Sequence, residues 1–161
     1  ALTGVLLPVA RGYPPPSCVL PSFTTMHDTF LILHSWVRWA AIVTGILATL
    51  SAASKESGGS RAGLFFTITL DIQFLLGILL LLTSNAFGNM GETMKDATAR
   101  FYAVEHPTLM LAAVAFAHLG KMRAKKPGGR KALFFYAVST LLLLAGTPWP
   151  GTHDSRPLFR L

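Results

Sequence analysis

Four long apolar runs leave few folds open to this chain: Thr29 to Ala52, Gly63 to Ser84, Phe101 to Gly120 and Ala132 to Thr147. At about 1.5 Å per helical residue they approach the roughly 30 Å of hydrocarbon in a bilayer, the fourth being the shortest. Backbone amides find no water there, so a spanning segment is either a helix or a strand of a closed barrel. Barrel strands alternate apolar with polar residues, and these runs do not. Of the 161 residues, 52% are apolar and only 13% charged, about half the charge of a soluble domain. The expectation is an all-α integral membrane protein, a four-helix bundle running up-down-up-down. Its helices occupy about 29–52, 63–84, 101–120 and 132–147 within a domain of residues 26–150.

Orientation follows from the basic residues. The connections after the first and third runs share a side and hold Lys55, Arg61, Lys121, Arg123, Lys125, Lys126, Arg130 and Lys131. The opposite side holds Arg11, Lys95, Arg100, Arg156 and Arg160, so the bias is eight against five. The positive-inside rule then places the two basic loops in the cytoplasm and both termini on the outer, periplasmic side. The net charge of +7 reads as topology and contact with anionic headgroups of the lipid bilayer. Nucleic acid is the weaker partner, because the basic cluster is a short turn without interleaved aromatics.

Residues 1–25, with Tyr13-Pro14-Pro15-Pro16 and a lone Cys18, lack the charged start and small-residue cleavage pattern of a signal peptide. They read either as a Pro-stiffened arm on the outer surface or as a stretch upstream of a true start at Met26. Cys18 has no cysteine to pair with in the chain. Residues 151–161 read as a polar tail in which His153 is solvated.

Ionisable residues inside membrane helices cost on the order of 2.5–3.5 kcal/mol each, which makes them functional candidates. Here they are His34, Arg38, Asp71, Glu105, His106 and His118. The first and third helices run the same way, and His34 and His106 each fall about five residues in, roughly 8–10 Å below the outer boundary. Two imidazoles at one depth on parallel helices can face each other. Steps of four and three from His34 reach Arg38, Ala41, Gly45, Ala48 and Ala52; the same steps from His106 reach Met110, Ala113 and Ala117. Small residues on facing stripes suit close packing or a flat cofactor. Two neutral imidazoles are good axial ligands for haem iron, and a single one can hold the magnesium of a chlorophyll.

Arg38 has two readings, neutralising a haem propionate or forming an ion pair with Asp71, which lies near its depth on the second helix. Gln73 and Gly77 lie one turn apart on a different face from Asp71, and Gln73 reads as interhelical glue or a quinone contact. Glu105 can orient an imidazole, carry protons, touch quinone or reach headgroup water. His118 stands about 120° around the helix from His106, with an interfacial role favoured. Pro107 removes a backbone bond beside His106 and is expected to bend the helix. Trp36, Trp39 and Trp149 read as interfacial anchors. The stretch Asn85 to Arg100 is expected to form a short outer helix over Glu92 to Asp96, placed to lid a cofactor edge. There is no nucleophile triad, phosphate loop or metal-spaced cysteine cluster.

The order of motifs resembles a family of small four-helix bacterial membrane proteins labelled cytochrome b-like. The likeness rests on Leu33-His34-Ser35-Trp36-Val37-Arg38-Trp39, the segment Gln73 to Gly77, Met94-Lys95-Asp96 with Arg100-Phe101 and Val104-Glu105-His106, and the closing Pro148-Trp149-Pro150. It covers about residues 26–150. Two departures stand out: Asp71 occupies a position where helix two of the family often carries a histidine, and Pro107 replaces an ordinary helix residue. The resemblance implies a multi-pass protein of the bacterial inner membrane. Together with the residues it gives haem b held by His34 and His106, with electrons passing to or from a quinone or partner redox protein. Such a protein is an electron-transfer or accessory subunit rather than an enzyme with its own substrate. The alternative is a non-catalytic small subunit of a larger respiratory or photosynthetic membrane complex, contacting chlorophyll or quinone.

Overall fold

The computed structural model of the chain describes residues 23–54, 61–84, 88–125 and 130–150. The arm with Cys18, Lys55, Lys126 and the tail with His153 lie outside the described residues. Among them, regular structure is entirely helical, in the order α1 (Phe23–Ala53), α2 (Arg61–Thr83), α3 (Met90–Lys95), α4 (Ala97–Arg100), a π turn (Phe101–Glu105), α5 (His106–Ala124) and α6 (Arg130–Gly146). Within α1 and α2, the segments Met26–Ala53 and Arg61–Thr83 are long and apolar enough to cross a membrane. Only 22% of each apolar window is buried, whereas the core helix of a soluble protein is mostly buried. The exposed surface is correspondingly oily, with Val43, Leu47 and Leu50 outward on α1 and Phe65, Ile72 and Leu75 on α2.

The four long helices close a ring: α1 packs against α2 and α6, and α5 packs against the same two. Thus α1 and α5 stand diagonally. Each seam carries a polar link from one helix to the next. Thr44 and Thr69 hydroxyls lie 2.9 Å apart between α1 and α2, and Thr49 and Thr140 hydroxyls 3.3 Å apart between α1 and α6. Ser139 of α6 donates to the Ala113 carbonyl of α5 at 2.7 Å, and His118 of α5 meets Asp71 of α2 at 2.9 Å. In an apolar environment such bonds hold helices together where burial of oily surface gives little preference.

The small-residue stripes below the histidines are close-packed and leave no slot for a flat group. Ala41, Ala48, Ala113 and Ala117 are fully buried, and a Cβ on Gly45 would come within 2.9 Å of the Phe66 ring. Farther down, the Tyr136 ring is clamped between α2 and α5, touching the backbone at Gly63 and at Gly120.

The helix expected at 101–120 begins instead with the π turn, in which the His106 N–H donates to the Phe101 carbonyl five residues back. Pro107, at the start of α5, has no N–H to offer the carbonyl of Ala103, and the backbone widens beside it. The short outer helix is present as two pieces. Asp96 separates α3 from α4 and caps the latter, accepting from the Ala99 N–H at 2.7 Å.

A Cβ on Gly120 would lie 2.8 Å from Cδ1 and Cε1 of Tyr136, a ring buried on its other side against Gly63. Gly120→Val is therefore expected to destabilise the fold by about 2–3 kcal/mol, measured as unfolding in detergent, despite its better helix propensity.

Candidate functional site

The histidines and their neighbours converge on one cavity of about 480 Å³, within the range of small-molecule and cofactor sites. His34, Arg38, Gln73, Gly77, Tyr102 and His106 all line it. The rings of His34 and His106 lie 6.2 Å apart between centroids, at 75° to one another. They reach across the ring of helices from the diagonal pair α1 and α5, so each points towards the interior.

His106 is oriented by its Nδ1, 2.6 Å from the Gly146 carbonyl at the end of α6. A carbonyl only accepts, so Nδ1 carries the proton and donates it. The lone pair is thereby assigned to Nε2. The π turn sets this geometry from the other side, because it shifts the register of the chain directly before His106. Gly77 of α2 makes room for the His34 ring: a Cβ there would stand 3.2 Å from Cε1 of the imidazole. The Gln73 carbonyl interacts electrostatically with this ring, but Nδ1 of His34 is buried and makes no hydrogen bond. Gln73 itself is 4% exposed, and its side-chain oxygen is likewise buried without a partner. The amide is therefore not interhelical glue through that oxygen, and the cavity holds an acceptor with nothing bonded to it.

Apolar side chains complete the wall, among them Leu31, Phe74, Ile78, Met110 and Leu143. At one end it is lined by Thr93, Asp96, Thr98 and Ala99 from α3, α4 and their junction. Arg38 lies deeper, with its guanidinium carbon 5.5 Å from the centre of the Trp39 ring. Trp39 packs edge-on against Trp149, whose indole N–H donates to the Leu144 carbonyl at 2.9 Å. The closing Pro-Trp-Pro segment thus pins the end of α6 next to the cavity.

Several expectations are corrected. Asp71 does not pair with Arg38; its Oδ1 is 2.9 Å from Nε2 of His118. The reason is angular: Gln73 faces the cavity, and two residues along a helix turn about 200°, so Asp71 points outwards. His118, away from the cavity face of α5, meets it on the same outer seam rather than serving only the interface. Glu105 neither lines the cavity nor orients an imidazole; it is exposed and bonds Arg100 Nε at 2.9 Å. A quinone contact through Glu105 in this cavity is thereby ruled against. The histidine that the resemblance leads one to expect at position 71 would also face outwards here, so its replacement leaves the cavity intact.

Tyr102 and a further histidine of the cavity escaped the sequence reading. His27 lines the mouth, with Nδ1 3.0 Å from the Thr83 hydroxyl. That hydroxyl also lies 2.9 Å from the Leu79 carbonyl, which ties the end of α2 to the start of α1 at the cavity mouth. Its signal was a spacing of seven residues before His34, two turns along one face, hidden because α1 starts at Phe23 and not near Thr29.

No known protein family, curated protein or solved structure matches this chain.

The pairing of Asp71 can be read by double-mutant cycles on unfolding in detergent. Asp71 and His118 are expected to couple by about 0.5–1 kcal/mol, while Arg38 and Asp71 add within about 0.5 kcal/mol.

Proposed function

We propose that this chain is a multi-pass protein of the bacterial inner membrane, a four-helix bundle running up-down-up-down with both termini outside. In this reading it holds haem b between His34 and His106 and passes electrons to or from a quinone or a partner redox protein. The single observation that carries the reading is the pair of imidazoles facing across one cavity. A metal–nitrogen bond of about 2 Å on each side, plus roughly 1 Å from nitrogen to ring centre, sums to roughly 6 Å. The rings stand 6.2 Å apart. Two imidazoles lining one cavity at this separation favour haem iron over chlorophyll magnesium, for which one suffices. Among the described residues no group of three or more His, Cys, Asp or Glu gathers to hold a bare metal ion.

A bound haem supplies a one-electron carrier, and the residues of this chain provide the rest. His106 offers Nε2, held in its tautomer by the Gly146 carbonyl as ligating histidines usually are. His34 offers the second nitrogen from the diagonal helix. Arg38 is placed to take a carboxylate of the ligand through charge-assisted hydrogen bonds. Gly77 leaves room for the His34 ring beside α2, and apolar side chains make up much of the wall around the two rings. In this reading the α3–α4 segment, whose residues line one end of the cavity, lies between the site and the outer aqueous face.

Reduced-minus-oxidised absorbance spectra of the detergent-purified protein, expressed with haem supply, test this directly. A b-type spectrum is expected in the wild type, with haem retention lowered at least tenfold in His34→Ala and in His106→Ala. Gly77→Val, which pushes on the His34 ring, is expected to lose haem as well. His118→Ala is expected to retain it; loss there alone would place the site elsewhere.

A further inference from the structure

The Asp71–His118 pair lies outside the cavity and has no part in holding a haem, yet it sits where lipid would be. On α2, about 15 Å of helix separates Asp71 from the start of the helix at Arg61, which is near mid-membrane. Both side chains are 46% exposed. Hydrocarbon does not solvate such groups, and intramembrane ionisable residues almost always face protein or a water-filled cavity.

The surface around the pair is regular. Leu64, Ile68, Asp71 and Leu75 are exposed in one stripe along α2, spaced by four, three and four residues. Leu111, Ala115, His118 and Met122 repeat the same spacing on the exposed face of α5. This is the seam of a helix that packs against another helix, with one polar residue set into each stripe. The exposed stripe along the middle of α1, Leu33, Trp36, Ala40, Val43, Leu47 and Leu50, holds no polar residue. The pair is also half used: Asp71 bonds through Oδ1 and His118 through Nε2, and neither residue makes another hydrogen bond among the described residues.

We propose that the α2–α5 face is the interface with a second copy of this chain. This rests on the membrane reading above. A two-fold axis along the membrane normal sets the spare carboxylate oxygen of each copy against the spare imidazole nitrogen of the other. Each copy brings the other one carboxylate oxygen and one ring nitrogen, so the face is self-complementary about that axis. An unrelated partner would have to bring both an acid and a base at matching depth. The oily stripes on either side then pack against their equivalents, and the polar centre fixes the register.

The test counts copies of the fluorescently labelled full-length protein in lipid vesicles by single-molecule photobleaching across a dilution series. Dimers are expected for the wild type. Asp71→Leu with His118→Leu is expected to weaken dimerisation at least tenfold, Asp71→Asn to weaken it less, and Leu47→Ala on the exposed face of α1 to leave it unchanged. Wild type that is monomeric at every density overturns the proposal, as do dimers indifferent to both changes at Asp71, or equal weakening by Leu47→Ala. Carbonate washing of the same vesicles separates the two readings. Protein stripped from the vesicles overturns the membrane reading and the proposal with it, whereas retained monomers overturn the proposal alone.

Discussion

Polar groups on oily helices must be satisfied by one another, and that constraint organises this molecule. Each contact between neighbouring long helices is tied by a side-chain hydrogen bond: threonine to threonine on two seams, serine to carbonyl on the third, histidine to aspartate on the fourth. Between these ties the helices approach closely through alanine and glycine. The exceptions are informative because they are not scattered. His34 Nδ1, with only the Gln73 backbone carbonyl beside it, and Gln73 Oε1, buried without a hydrogen-bond partner, both belong to residues that line the same cavity. Buried polar atoms are seldom left unmade without a reason, and a ligand at this position supplies one.

The site depends on the same economy of contacts. His106 meets the end of α6 through Gly146, and α6 is pinned there by Trp149 against Trp39 of α1. The imidazole on α5 is thus referred, through α6, to the helix that carries the other imidazole. A π turn before His106 and a glycine opposite His34 are local departures from ordinary helix, and both fall beside the two rings. A widened turn and a close approach gathered around one pair of side chains suit a preorganised binding site better than a packed core.

Much of this was legible in the sequence, for a simple reason. Apolar runs give the helices, and counting residues along them gives depth, which is enough to bring His34 and His106 to one level. Depth says nothing of direction around the helix axis. Asp71 and Arg38 share a level, yet only the contact of Gly77 with His34 settles that Gln73 faces inwards and Asp71 outwards. Hydropathy also truncates helices where their last turns are polar. The turns before Thr29 contain Thr25, His27 and Asp28, and with them went a third imidazole of the cavity. Pro107 signalled a disturbance beside His106, but whether the backbone would bend or widen depends on packing that no local pattern encodes.

The central claim is that two imidazoles, one from each diagonal helix, serve a single iron. The coordination state of the ferric protein in detergent, read by electron paramagnetic resonance at low temperature, tests it most directly. The account predicts a six-coordinate low-spin signal with one haem per chain. It also predicts that His34→Gly and His106→Gly each become high-spin and return to low-spin when free imidazole is added. A wild-type protein whose haem is high-spin, or whose low-spin signal survives both substitutions, would contradict it.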